Sequence, residues 1–319
     1  KADNLIMLRP IHLIPENTKI NFLKYKSIFL LGSLAMVIIS LLASFIIGLN
    51  FGIDFRGGVL LELRSINGNA NISELRKNLE DFNLGEVSIQ EFGQPSDALV
   101  RIQKQEGDEK SQDAKLNEVK NILSNSYEIR RTEFVGPTVG DELKKNGFWA
   151  VIVALVGILL YIWFRFEWQF AVSAILALFH DVIATIGLFA FTGLEFNLST
   201  VAAVLTIAGY SVNDTVVVFD RVRENLRKTK SSDQLSIINK SLNETLSRTI
   251  TTSVTTLLAL LAIYFVGGEV ISDFTLAMIW GVMIGTYSSI FVASAFLTFF
   301  NLRRTREEEA EDLNYFNNE

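Results

Sequence analysis

Six apolar runs punctuate the chain, over about residues 27–49, 147–164, 169–192, 199–219, 249–266 and 274–300. Each comes close to or exceeds the roughly 20 helical residues that cross a hydrocarbon core. The pattern predicts six transmembrane helices. Between the first and second runs, residues 50–146 have ordinary soluble composition and a different rhythm. Residues 52–64 end in a strand-like run, and Asn71 with Glu74 three positions on reads as a capping box for a helix over 72–82. Alternation over 86–92 and 98–103, broken by Gly93-Gln-Pro95, reads as two strands. Ala114, Leu116, Val119, Ile122 and Leu123 share one face of a helix over 112–124, and 127–134 reads as a last strand. The order β-α-β-β-α-β is ferredoxin-like. That arrangement hosts many functions and fixes none, so a docking domain is the plainest expectation for it. The expected fold is therefore an α-helical polytopic membrane protein, with one ferredoxin-like α+β domain between the first two of six spans.

Composition agrees, since 49% of the 319 residues are hydrophobic. Cysteine is absent, which excludes disulfides and thiolate metal sites. Two histidines and no nucleotide-binding loop leave no metal or cofactor to expect. The net charge of −6 says less than where the charges fall. Residues 1–26 hold five basic side chains and no cleavage-site pattern, 220–248 holds seven, and Arg303, Arg304 and Arg306 follow the last run. The short connections 193–198 and 267–273 have none. Basic residues beside spans stay on the cytoplasmic side. A cytoplasmic N-terminal segment (1–26), a cytoplasmic loop (220–248) and a cytoplasmic tail (301–319) follow, with 50–146 outside. Thirteen basic residues in the outer segment do not oppose this, because long domains translocate largely regardless of charge. Lys144 and Lys145, before the second span, are a mild exception. The acidic stretch Glu307-Glu-Glu-Ala-Glu-Asp312 reads as a solvated end.

The chemistry lies in charges inside apolar runs. Asp214 sits within the fourth run, Asp181 with His180 beside it in the third, and Arg248 at the head of the hydroxyl-rich run 249–256. A charge at membrane depth costs at least about 2.5–3.5 kcal/mol, so such residues usually move ions or protons or pair between helices. Asp214 lies about 9 Å inside Asp220 along a helix. Residues three and four apart share a helical face. Asp214 is thereby grouped with Thr206, Tyr210, Ser211 and Arg221, with Asn213 adjacent in sequence. Arg248 is grouped with Thr252, Thr255 and Ala259, and Asp181 with Ser173, Ala177 and Thr185. Three such stripes can face one another and bury their charges together. Two readings stand side by side for each group. Asp214 is a static interhelical partner or a proton site. Arg248 snorkels to headgroups or tunes the carboxylate, since burial raises a carboxyl pKa and a nearby cation lowers it. His180 bonds a neighbouring backbone or supports Asp181.

The run Gly209-Tyr-Ser-Val-Asn-Asp-Thr-Val-Val-Val-Phe-Asp-Arg-Val-Arg-Glu-Asn225 closely resembles the fourth span of the SecF family of protein-export membrane proteins. Asn243-Glu-Thr-Leu-Ser-Arg-Thr-Ile-Thr-Thr-Ser253 resembles the approach to its fifth span, and Asn50-Phe-Gly-Ile-Asp-Phe-Arg-Gly-Gly58 the signature after its first. Val135-Gly-Pro-Thr-Val-Gly140 and His180-Asp181 fit as well, so the resemblance covers nearly the whole chain. It implies a non-enzymatic subunit of the bacterial cytoplasmic (inner) membrane within the proton-driven resistance–nodulation–division superfamily. In that family the subunit pairs with SecD, accompanies the SecYEG channel and YajC, and draws preproteins outward with the proton-motive force. The implied partners are these proteins, the preprotein and lipid, with no nucleic acid. The resemblance places the family's essential aspartate on Asp214 and its arginine on Arg248, with the third-span pair on His180 and Asp181. Asn213, Tyr210, Ser211 and Thr252 would support them. A small-molecule efflux subunit of the same superfamily is the alternative. An intramembrane aspartyl protease would need Tyr-Asp and Gly-x-Gly-Asp contexts, where this chain has His180-Asp181 and Asn213-Asp214.

Overall fold

The computed structural model describes residue 15 and residues 18–302, apart from 81, 83, 85–86, 104–108, 230–232 and 268–270. The N-terminal Lys1 and Arg9, the loop residue Lys230 and the tail from 303 onward lie outside the described residues. Six helices are long and apolar enough to span a membrane: Phe22–Ile46, Val139–Arg165, Trp168–Thr192, Leu198–Lys228, Gln234–Val266 and Ser272–Leu297. The protein is a multi-pass membrane protein.

The first span is a short 3-10 turn followed by α1 (Lys26–Ile46). Strand β1 (Asn50–Phe51) and the short helix α2 (Ile53–Arg56) lead into the α+β domain. That domain runs β2 (Gly58–Ser65), α3 (Ile72–Glu80), β3 (Val87–Glu91), β4 (Asp97–Gln103), α4 (Glu109–Leu123) and β5 (Tyr127–Val135). The sheet order is β3-β4-β2-β5, antiparallel throughout, which is the ferredoxin-like topology. Asn71 caps α3, its Oδ1 accepting from the Glu74 amide at 3.1 Å, but the reciprocal half of the box is not made: Glu74 Oε2 accepts from Asn71 Nδ2 at 3.2 Å, and the Asn71 amide donates to the Tyr127 hydroxyl at 3.3 Å. Alternation in β2 sends Val59, Leu61 and Leu63 to the core shared with Leu75, Leu79, Val119 and Leu123. Leu60 on the opposite face meets Ile53 and Leu99 in a second small core, so both sheet faces are covered. Ile122, expected on the buried face of α4, is 41% exposed, because the packing arc is narrow and centred on Val119 and Leu123.

A compact joint ties this domain to the bundle. Helices α5 (Pro137–Arg165), α6 (Trp168–Thr192) and α7 (Leu198–Lys228) carry the second to fourth spans, and β6 (Glu195–Phe196) links α6 to α7. β1 pairs in parallel with β6. Asp54 Oδ2 accepts from the Leu198 amide at 2.9 Å, beside the Asn197 cap of α7. Gly57 has φ +71°, and a Cβ at Gly140 would come within 3.1 Å of its nitrogen, so the signature glycines let α5 approach this turn closely. Arg101 of β4 forms an ion pair with Glu195. Burial lifts the Glu195 carboxyl above the usual range, and Arg101 pulls it partly back.

Helix α8 (Gln234–Val266) carries the fifth span. The last span comprises α9 (Ser272–Tyr287), a π-helical turn (Ser288–Ala293) and α10 (Ser294–Leu297). Two boundaries differ from expectation. The segment 220–248, read as a loop, is mostly helix, because α7 runs to Lys228 and α8 begins at Gln234. Its charges pair along and between helices, as in Arg221–Glu224 at 2.5 Å, Lys228–Glu224 at 2.6 Å and Arg221–Glu244 at 2.6 Å. Charged periodicity here marks helix ends beyond the apolar length. The second span starts about ten residues before its apolar run, since Pro137 opens α5 behind Gly136. In the bundle core, Phe166, Phe170 and Phe219 pack with centroids 5.3–6.2 Å apart.

This packing can be tested at two positions. A Cβ at Gly187 of α6 would come within 2.9 Å of the Ser40 Cα on α1, a backbone contact that cannot yield cheaply. Gly187→Ala is expected to destabilise the chain by roughly 1–3 kcal/mol, read as a lower thermal midpoint in detergent; an unchanged midpoint contradicts this packing. In the α+β domain, Arg64 donates to Asp97 through Nε at 2.7 Å and Nη2 at 2.6 Å, holding the Asp97 carboxyl below the usual range. A lowered folded value gives stabilisation that is present above about pH 3.9 and drains away as pH falls through the folded value. Asp97→Asn should flatten that acid dependence and speed hydrogen exchange of the β4 amides at neutral pH. Wild-type exchange at neutral pH together with a wild-type acid dependence in the variant would contradict it.

Candidate functional site

The third-span stripe is buried as a unit: Ser173 and Asp181 at 0%, Ala177 at 1% and Thr185 at 0% exposure. Thirteen residues into α6, Asp181 lies about 20 Å along the helix, near its middle. A carboxylate so placed must be hydrogen-bonded, and three donors reach it. His180 Nδ1 lies 2.8 Å from Oδ1, in place to donate to an ionised Asp181. Ser211 Oγ of α7 and Ser288 Oγ of the π-helical turn both donate to Oδ2, the latter at 2.6 Å. The His180 ring rests by Tyr287, centroids 6.1 Å apart. Thr185 Oγ1 donates to the Asp181 carbonyl at 2.8 Å.

Asp214 presents the opposite case. It is 3% exposed, sixteen residues or about 24 Å along α7, and its Oδ2 is buried without a hydrogen-bond partner among the described residues. Arg248 acts on it through space, yet among the described residues no ion pair within 4.0 Å joins them. Arg248 itself is exposed on this chain. One buried carboxylate is thus fully provided with donors, while the other, three residues beyond Ser211, keeps a buried oxygen with none.

The last span frames Asp214 closely. Ser289 Oγ pairs with Thr215 Oγ1 at 2.9 Å and also approaches the Ser211 carbonyl at 3.4 Å. A Cβ on Gly285 would lie 3.1 Å from the Ser211 Cβ, so the two helices nearly touch there. Ser288, Ser289 and Thr215 were not expected at the site. The signal for the two serines was the polar interruption Thr286-Tyr-Ser-Ser289 within an otherwise apolar run, and for Thr215 its place beside Asp214.

The expected stripes on the other two spans are corrected. On α8 the packed face is Ser241, Thr245, Thr249 and Ser253, while Arg248, Thr255 and Ala259 are exposed and Thr252 half-buried. Ser253 Oγ meets Thr286 Oγ1 at 2.6 Å, whereas Thr252 Oγ1 donates to its own helix at the Thr249 carbonyl, 2.9 Å away. On α7, Ser211 is buried, Tyr210 is half-buried with its hydroxyl oxygen buried and unpartnered, and Thr206 and Asn213 are exposed. The three groups of charges therefore do not all converge. Asp181 and Ser211 meet, Asp214 adjoins them, and Arg248 stays on the surface with a hydroxyl-rich face. Among the described residues no cluster of three or more His, Cys, Asp or Glu could hold a metal.

Residues 114–303 match the family described as protein export membrane protein SecD/SecF, C-terminal, and residues 42–65 match the SecD/SecF GG motif. The chain belongs to the SecD/SecF family. It is 46% identical over 292 residues to the protein translocase subunit SecF of Magnetococcus marinus, spanning 90% of this chain and 92% of that one. A SecDF protein of Brucella abortus is 42% identical over 306 residues, covering 95% of this chain and 40% of its own length. The crystal structure of SecDF from Thermus thermophilus, a translocon-associated membrane protein, superposes with a TM-score of 0.83 at 37% identity. That match covers 91% of this chain and 40% of the SecDF chain, so this chain spans under half of the fused proteins. The chain is a subunit of the Sec protein-export machinery, a transport factor, and its membership sets small-molecule efflux aside. The GG motif is the joint of Gly57 and Gly58 under the α+β domain.

Proposed function

We propose that this SecF-type subunit works with SecD to turn the proton-motive force into preprotein movement through the SecYEG channel, with Asp214 as the proton carrier. The carrying observation is the contrast between the two buried carboxylates. Asp181 takes hydrogen bonds from three side chains on three spans, which fix it in place. Asp214 is buried, with an oxygen that has no hydrogen-bond partner and no ion pair to Arg248 among the described residues. A group so weakly held in its charged form is the one whose protonation can change as Arg248 moves relative to it. Asp181 then supports the site, as do His180 and Ser211. The two carboxylates share no hydrogen bond, unlike the dyad of an aspartyl protease, and no bond-breaking chemistry is proposed.

The exposed polar face supports the partnership. Thr206 and Asn213 of α7 and Arg248, Thr251 and Thr255 of α8 face outward at membrane depth. The threonines donate to carbonyls of their own helices, but lipid cannot satisfy the Asn213 amide or the Arg248 guanidinium, and a second polytopic subunit can. SecD is the natural occupant, since relatives exist in which SecD and SecF form one chain. YajC and SecYEG complete the assembly in this reading. The membrane is the bacterial cytoplasmic membrane, with residues 50–146 outside and both termini, together with the α7–α8 connection, inside.

Two experiments test this. Asp214→Asn keeps shape and removes titration; assembly with SecD is expected to survive while the proton-dependent increment of export is lost. Arg248→Lys keeps the charge and loses the planar fork, so a partial defect is expected, and Asp181→Asn should be milder than Asp214→Asn. Full export by Asp214→Asn would overturn the assignment. Because the chain has no native thiols, cysteines at the exposed positions 118 and 240 report topology. Impermeant reagent applied to intact cells should label 118 and spare 240; the reverse pattern contradicts the orientation.

A further inference from the structure

Asp214 is framed by the one stretch of the last span that departs from α-helical geometry. The backbone widens to a π-helical turn over Ser288–Ala293, and π turns inside α-helices recur at functional sites. The first two side chains of that turn bond to groups near Asp214, Ser288 to Asp181 on α6 and Ser289 to α7. Ser288 donates to Asp181 Oδ2, which also receives Ser211, three residues before Asp214. Ser289 pairs with Thr215, one residue after Asp214, and reaches back to the Ser211 carbonyl. Gly285, one turn earlier, leaves room for this approach. All five side chains, Asp181, Ser211, Thr215, Ser288 and Ser289, are at most 2% exposed. Together they form a buried polar cluster beside the position of Asp214 on α7.

We propose that Ser288 and Ser289 are positioning residues for the proton step at Asp214, acting through Asp181 and Thr215. The inference rests on the proton-carrier reading above. Returning the π turn to α-helix would rotate one end of the span against the other about the helix axis and disturb the hydroxyl contacts to α6 and α7. The turn is therefore the element through which motion of the last span and the placement of Asp214 are linked.

The test is proton-driven export in vesicles containing this chain and SecD, measured across pH for wild type, Ser288→Ala, Ser289→Ala and the double variant. Thr275→Ala serves as control. Thr275 is equally buried on the same span, and among the described residues its hydroxyl bonds only to the Ile271 carbonyl at the start of its own helix. Each site variant should move the pH midpoint of export by about half a unit or more, consistent with loss of a hydrogen bond that orders the site, and the double variant further. Thr275→Ala should lower yield at most and leave the midpoint in place. If Ser288→Ala does not accumulate, Ser288→Cys, which keeps size and a weak donor, should show a smaller shift. Midpoints equal to wild type in assembled site variants overturn the proposal. A shift of the same size in Thr275→Ala does so too, since it makes the effect one of general stability. A wild-type profile unaltered by Asp214→Asn overturns the proton-carrier reading itself, and this inference with it.

Discussion

The cost of a carboxylate away from water governs how this bundle is built. A charge at membrane depth is tolerated when it is paired, bonded or in use. Asp181 is bonded: donors from its own helix, from α7 and from the last span converge on its two oxygens. Those bonds hold three spans together at one level more specifically than apolar packing could, because side chains in lipid lack a hydrophobic force that would select one neighbour over another. Glycines at Gly187, Gly281 and Gly285 let helices close around the site where larger residues would hold them apart. Asp214 keeps a buried oxygen with no partner among the described residues, and the fold gives it a defined place.

The second organising element is the joint below the α+β domain. The parallel β1–β6 pair, the Asp54 contact to the start of α7 and the Arg101–Glu195 ion pair all meet at the GG motif. Through this joint the domain is fixed to the first turn of the helix that carries Asp214. The domain thus meets the start of α7 through one backbone strand pair and two side-chain contacts.

Much of this was legible in the sequence. Spans announce themselves because a run of about twenty apolar residues is long enough to cross a bilayer and too apolar to face water. The βαββαβ order followed from alternation, a cap and Pro and Gly punctuation. Helix ends were not legible where charge begins. Arg221, Glu224 and Lys228 look like a loop by composition and are a helix by their spacing. The packed face of α8 was hidden for a physical reason: Thr249, Thr251, Thr252, Ser253, Thr255 and Thr256 put a hydroxyl on nearly every side, so polarity has no period to read. Asp181 and Asp214 stood out as isolated charges. Their different states did not, since the donors to Asp181 from other spans lie 30 and 107 residues away and meet it only in the folded bundle.

If Asp214 changes its protonation as the subunit works, protons must cross the membrane through this chain and its partner. The most direct measurement is proton flux into or out of sealed vesicles holding this chain with SecD, driven by a proton gradient, for wild type and Asp214→Asn. Flux is expected in the wild type and should be lost in an Asp214→Asn complex that is still assembled. Equal flux in the two would contradict a proton-carrying Asp214.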